Sequence, residues 1–130
     1  MSEENVGIVL GAIAYEYYGV GDRAEAAAIF DPQVVLNPID ETPSSGFDAM
    51  RADMERWASA FDELKVTFEE FIDAGDQVVV VAYHHGRGRE TGIEVDTRFY
   101  EVYTLRDGKV SRVDEYIERA EALEAVGLSE

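Results

Sequence analysis

Cysteine is absent from the 130-residue chain. That removes disulfides, thiol nucleophiles and cysteine metal sites together, and it is compatible with a reducing cytoplasm. Positive charge is scarce. Lys and Arg number 11 against 28 Asp and Glu, so the formal net charge is −17. The basic residues stand singly, and nothing offsets repulsion from a nucleic-acid backbone or an anionic membrane surface. Nucleic acid and membrane are therefore excluded from the expected partners. No run approaches the roughly 20 apolar residues of a membrane span. The stretch from Met1 to Gly11 starts acidic and has no long apolar core, unlike a secretory signal. A soluble, cytoplasmic protein is expected. Histidine occurs only at His84 and His85.

What is present is an apolar fraction of 46%, spread along the chain, which argues against disorder. The length suits one compact domain, residues 1–130, with a real core. A first helix is predicted from Ser2, which can cap it, with Glu3 and Glu4 at the positive end of the dipole. Val6, Val9, Leu10, Ile13 and Tyr17 form its apolar stripe, and Gly19 and Gly21 end it. A short second helix starts at Asp22, with Glu25 completing a capping box. Asp31 and Pro32 stop it. Val34 to Asn37 reads as a strand and residues 39–46 as a loop. A third helix starts at Ser45, with Met50, Met54, Trp57 and Phe61 on one face.

From Leu64 the period changes towards two. Strands are predicted over 64–72, 77–89, 93–105 and 109–117, with a three-residue hairpin loop Arg106, Asp107, Gly108 between the last two. Residues 118–127 close as a short helix. Helices first and a meander after them indicate an α+β domain with an antiparallel sheet.

Alternation sorts the faces. On the long strand Ile93, Val95, Thr97, Phe99, Glu101, Tyr103 and Leu105 face the core, so Glu101 is a carboxylate in an apolar row. Glu115 is a second misfit, between Val113 and Ile117. Val78 to Val81 is apolar on both faces, as in a strand covered on both sides. Beyond it Ala82, His84, Gly86 and Gly88 share one face, and Tyr83, His85, Arg87 and Arg89 the other. The two histidines thus diverge, which argues against a shared metal. The small residues around His84 suggest the wall of a pocket. With a three-residue loop, Glu101 faces Val113 and Glu115 lies on the diagonal. Two carboxylates that close in a partly dry pocket suit a general acid or base.

The stretches "FIDAGDQVVVV", "LRDGKV" and "EYIERAEAL", with "FDPQVVLNP" and "SGFDAMRADMERWASAF", resemble the SnoaL-like polyketide cyclases. These belong to the ketosteroid-isomerase and nuclear-transport-factor-2 superfamily. The resemblance spans nearly the whole chain. It implies a cone, a curved antiparallel sheet wrapped around N-terminal helices with a pocket at the wide end. It also implies a homodimer through the outer sheet face, which Val79, Val81, Tyr83, Tyr100 and Val102 would suit.

Residue by residue the match is incomplete. Steroid isomerases place a base carboxylate where Asn37 stands. Their buried acid on the long strand falls at Glu101, and their helix-one tyrosine falls at Ala14, with Tyr15 and Tyr18 near. In limonene-type epoxide hydrolases, Asn37 matches an asparagine and Glu115 the last aspartate. Ala82 and His84 stand where the arginine and aspartate would be. The expectation is a pocket for a small apolar or aromatic molecule, with Glu101, His84 and Glu115 as catalytic candidates and no metal or organic cofactor. His84 beside Glu101 or Glu115 would make a base with an orienting carboxylate. Asn37 is expected to orient the substrate. Tyr15, Tyr18, Trp57 and Met54 are expected to contact it from the helices, and Thr97, Phe99 and Tyr103 from the long strand. Isomerase, cyclase and hydratase or hydrolase chemistry stay open, beside a non-catalytic binding module and a dimerisation scaffold.

Overall fold

A computed structural model describes residues 2–18, 23–39 and 42–129, apart from the side chains of Ser2, Glu3, Glu16, Tyr18 and Arg23. The Ser2 cap, the stop at Gly19 and Gly21 and the start at Asp22 lie outside the described residues. Along the chain come α1 (Ser2–Tyr18), α2 (Arg23–Ile29), β1 (Phe30–Asn37), β2 (Ser44–Ser45) and α3 (Phe47–Ser59). Then follow β3 (Phe61–Asp73), β4 (Gln77–Gly88), β5 (Glu94–Arg106), β6 (Lys109–Tyr116) and α4 (Arg119–Ala125). The strands form one curved, unclosed sheet in the order β2-β1-β6-β5-β4-β3. All pairs are antiparallel except β1 with β6, which run parallel. The α+β class is as expected.

Helices α1 to α3 pack on the inner face. Val9, Ala12, Ile13 and Tyr15 of α1 share a core with Phe30, Val34, Val78, Val80, Tyr103 and Val113. Leu10, placed on the apolar stripe by spacing, is instead exposed. The buried face of α1 runs through Ala12 and Tyr15, and a single turn of helix cannot bury Leu10 as well. Helix α3 begins at Phe47 and its N-cap is Gly46, with no side-chain cap hydrogen bond. Ser45 is paired with Val35 in the β1–β2 ladder, so sheet pairing outweighs its capping preference.

Strand β4 is covered on both sides. Val78 and Val80 belong to the main core, while Val79 packs with Val102 and Ala122 on the other face. Ala122 lies on α4, which an Arg119 to Glu70 ion pair at 2.9 Å ties to β3. The outer-face positions Val79, Val81 and Val102 are therefore already buried within one chain, two of them under its own last helix.

The β5–β6 hairpin differs from the expected register. The loop is two residues, Asp107 and Gly108, at φ 54° and 76°, with Arg106 opposite Lys109. Both residues take the left-handed conformation of the tight turn that suits twisted strands, which explains the Asp-Gly pair. The register shifts again between Thr104 and Leu105, and Glu101 ends directly opposite Glu115. The two carboxylate positions are direct cross-strand neighbours rather than diagonal ones.

Candidate functional site

A cavity of about 500 Å³ opens on the inner face, between α1, α3, the end of β1 and the strands β4 to β6. Its wall is largely apolar, with Leu36, Pro38, Ile39, Met54, Trp57 and Phe99. Its polar groups are Tyr17, Asp53, Arg56, His84, Glu101 and Glu115. A few convergent polar groups in an apolar cleft are the usual makeup of a small-molecule site.

Glu101 is 1% exposed. The Tyr17 hydroxyl bisects its carboxyl, 2.8 Å from Oε1 and 2.7 Å from Oε2. Phe68 meets the Tyr17 ring edge-on at 5.1 Å and holds it in place. The phenol that reaches Glu101 comes from the apolar stripe of α1. Of the two tyrosines named beside it, Tyr15 is buried in the core against Phe30, and Arg51 stacks on its ring. The side chain of Tyr18 lies outside the described residues. The helical register explains the exchange. Tyr17 is the tyrosine one turn past Ile13, on the side that faces β5.

His84 is 3% exposed, and burial pushes its pKa down to about 4. Its Nδ1 accepts a hydrogen bond from the Trp57 indole N–H at 3.0 Å. The partner of this ring is an indole donor from α3 rather than the carboxylate expected. Trp57, Phe99 and Tyr17 stand edge-on around the imidazole, with Phe99 at 4.8 Å. The room left by the small residues of β4 is partly taken. The Phe61 ring fills the space above Gly86, where an added Cβ would come within 2.8 Å of it.

Glu115 accepts from the backbone N–H of Ile39, in the segment after β1, at 3.1 Å. At the cavity wall Asp53 accepts from the Ser44 hydroxyl at 2.7 Å and pairs with Arg56. Asn37 stands apart from this group. With Val34 and Leu36 buried inward, the strand's alternation turns Asn37 to the other face, where its amide donates to Asp114 at 3.1 Å. Tyr103 is fully buried in the core, and Thr97 lies opposite His84 in the ladder. Neither borders the cavity. His85 faces outward and pairs with Asp96, which also accepts from the Tyr83 hydroxyl at 2.7 Å. Those two bonds, Tyr83's first, hold the Asp96 pKa low. Among the described residues no group of three or more His, Asp or Glu side chains gathers to hold a metal ion. Among them, too, no helix is long and apolar enough to cross a membrane.

The family profile of the SnoaL-like domain matches residues 14–113. The chain belongs to the SnoaL-like family. Solved structures agree on the fold. A putative SnoaL-like polyketide cyclase from Jannaschia sp. CCS1 is 21% identical with a TM-score of 0.75, covering 99% of this chain and 95% of that one. An NTF2-like protein from Burkholderia xenovorans LB400 is 25% identical with a TM-score of 0.73, covering 98% of each chain. AclR, a putative hydroxylase from Streptomyces galilaeus, is 20% identical with a TM-score of 0.66, covering 98% of this chain and 87% of that one. No curated protein matches the sequence at a significant level.

In this SnoaL-like chain the cavity brings together Glu101, His84, Glu115, Trp57, Met54 and Phe99 from the sequence-based expectation. It adds Tyr17, Asp53, Arg56, Leu36, Pro38, Ile39 and Ala60. Asp53 and Trp57 are four apart on α3 and so share its inner face, a spacing already visible in the sequence. The residues Pro38 and Ile39 carry no such signal, because only the packing of β1 against β6 brings them to Glu115.

Proposed function

We propose that this SnoaL-like chain binds a small apolar or aromatic molecule in the cavity and moves a proton on it. The reaction would be an isomerisation, cyclisation or hydration carried by side chains alone. The observation that supports this best is the buried Glu101 carboxyl, held by the Tyr17 hydroxyl in a mostly apolar cavity. A buried carboxylate beside a carbon acid can take its proton and return it at a second carbon. While Glu101 is charged, the phenol O–H donates to it. Once Glu101 holds the proton, it can donate to the phenol oxygen, which frees the phenol O–H for a developing oxygen charge. Glu115, opposite Glu101 in the ladder, is the second carboxyl, and His84 the third polar member.

Positioned acid–base groups contribute about 10²- to 10⁴-fold to rate. Glu101→Gln keeps the shape of the side chain and removes the proton acceptor. The expected outcome is a loss of turnover in that range, with ligand affinity changed little. Full turnover in that variant would remove Glu101 from the chemistry.

A non-catalytic binding module is the second reading. It is favoured by the separate protein partners of His84 and Glu115, which hydrogen-bond to Trp57 and to the Ile39 backbone. Ligand binding by the wild type without product formation, across isomerisable and hydratable candidates, would select it. The first reading also carries a homodimer, with Tyr83 and Tyr100 as the outer-face aromatics still partly exposed. A monomeric mass in sedimentation equilibrium removes the dimer.

A further inference from the structure

Trp57 and His84 form a contact that acid–base chemistry at Glu101 does not use. An indole N–H can only donate. It lies 3.0 Å from His84 Nδ1, so that nitrogen must present its lone pair. A neutral imidazole has one N–H, and here it falls on Nε2. A proton on Nδ1 would set two N–H groups against each other, which disfavours both the other tautomer and the imidazolium. Burial acts in the same direction. Nε2 is buried and has no hydrogen-bond partner among the described residues. Buried donors without partners are few in folded proteins and call for an explanation.

We propose that Trp57 is a positioning residue that holds His84 as a neutral, Nε2-protonated donor, and that the cavity's ligand supplies an uncharged oxygen acceptor to it. This rests on reading the cavity as a ligand site. The groups around the ring are Tyr17 from α1, Trp57 from α3 and Phe99 from β5, with Val66 and Thr97 on the flanking strands. The cavity's charged side chains are Asp53 and Arg56, paired to each other, together with Glu101 and Glu115. One paired cation among three carboxylates favours a neutral oxygen, as of a ketone, over an anionic one.

The ligand-free protein tests the tautomer. In ¹⁵N-histidine-labelled protein, two-bond ¹H–¹⁵N spectra at pH 7 are expected to show His84 with bare Nδ1 and protonated Nε2, unchanged at pH 5.5. His85, on the exposed face, is the internal reference. In Trp57→Phe the ring remains and the donor is lost, so the Nδ1-protonated form of His84 should become populated. An Nδ1-protonated His84 in the wild type overturns the proposal, and so does a Trp57→Phe spectrum identical to the wild type's. If Trp57→Phe does not fold, the wild-type tautomer decides alone. The ligand class is tested with 1-tetralone against tetralin, which share a body and differ in one oxygen. The ketone is expected to bind about tenfold tighter, with the advantage reduced in Trp57→Phe. Equal affinities, or no binding of the ketone, overturn the oxygen assignment. None of these readouts depends on turnover, so they fail independently of Glu101→Gln.

Discussion

His84 and His85 are chain neighbours, yet they occupy opposite environments. His84 is on the inner face of β4, enclosed by three aromatic rings and bonded to an indole. His85 is on the outer face, about two-fifths exposed, beside Asp96. The same contrast runs across the sheet. Inside, Glu101, His84 and Glu115 are each held by a neutral donor: Tyr17, Trp57 and a backbone N–H. Outside, charges pair with charges, as in Arg98 with Glu69 and Arg119 with Glu70. One strand delivers both because side chains alternate across it. Burial alone then decides which residues carry energetic weight.

The largest difference should appear in the pH dependence of stability. His84 has a folded pKa of about 4 against about 6.5 unfolded. Between those values the unfolded chain binds a proton that the folded chain does not, so stability rises with pH across that window. The contribution is full above pH 6.5, is lost as pH falls towards 4, and amounts to about 3 kcal/mol. Denaturant titrations of wild type and His84→Gln from pH 7 to 4 should diverge by that order. Parallel curves would mean that His84 is not desolvated.

A smaller effect is expected at Gly86, the inner-face residue two places beyond His84. An added Cβ would lie 2.8 Å from the Phe61 ring and 3.1 Å from the Glu63 carbonyl oxygen. Gly86→Ala should cost about 1–3 kcal/mol, read as a lower denaturation midpoint. A neutral or stabilising result would show that Phe61 can swing away and that the cavity extends over β4.

The smallest effect is assigned to the outer face. Asp96→Asn removes a charge shared by Tyr83 and His85. Exposed pairs contribute little to stability, and less again in high salt, so a small drop in the denaturation midpoint is expected. A larger loss at high ionic strength would indicate that this cluster is covered by something the single chain does not show.

Several of these features are readable from residue order. Period-two alternation separates His84 from His85, the four-valine run marks a strand covered twice, and Glu101 stands out in an apolar row. Gly108 marks the hairpin. Other features depend on small offsets that propagate. A turn of two residues and a shift after Thr104 move Glu115 from the diagonal of Glu101 to a position directly opposite it. The family resemblance puts Asn37 at the pocket, whereas the alternation of β1 turns it away from the cavity towards Asp114. Helical spacing already puts Tyr17 on the apolar stripe of α1, but only the packing of that stripe on the sheet shows that its hydroxyl meets Glu101. Val79 and Val102 read as part of a surface for a partner because nothing in their spacing says that α4 folds back over them.

The sequence by itself determined the helix-then-meander order, the two-sided β4, the absence of thiol chemistry and the inward glutamates. These follow from side-chain periodicity and composition, which act locally along the chain. Only the tertiary structure decided which group meets which: Tyr17 with Glu101, Trp57 with His84, and the Ile39 backbone with Glu115. Each pair joins elements far apart in sequence, and a hydrogen bond depends on tenths of an ångström that local propensities do not carry.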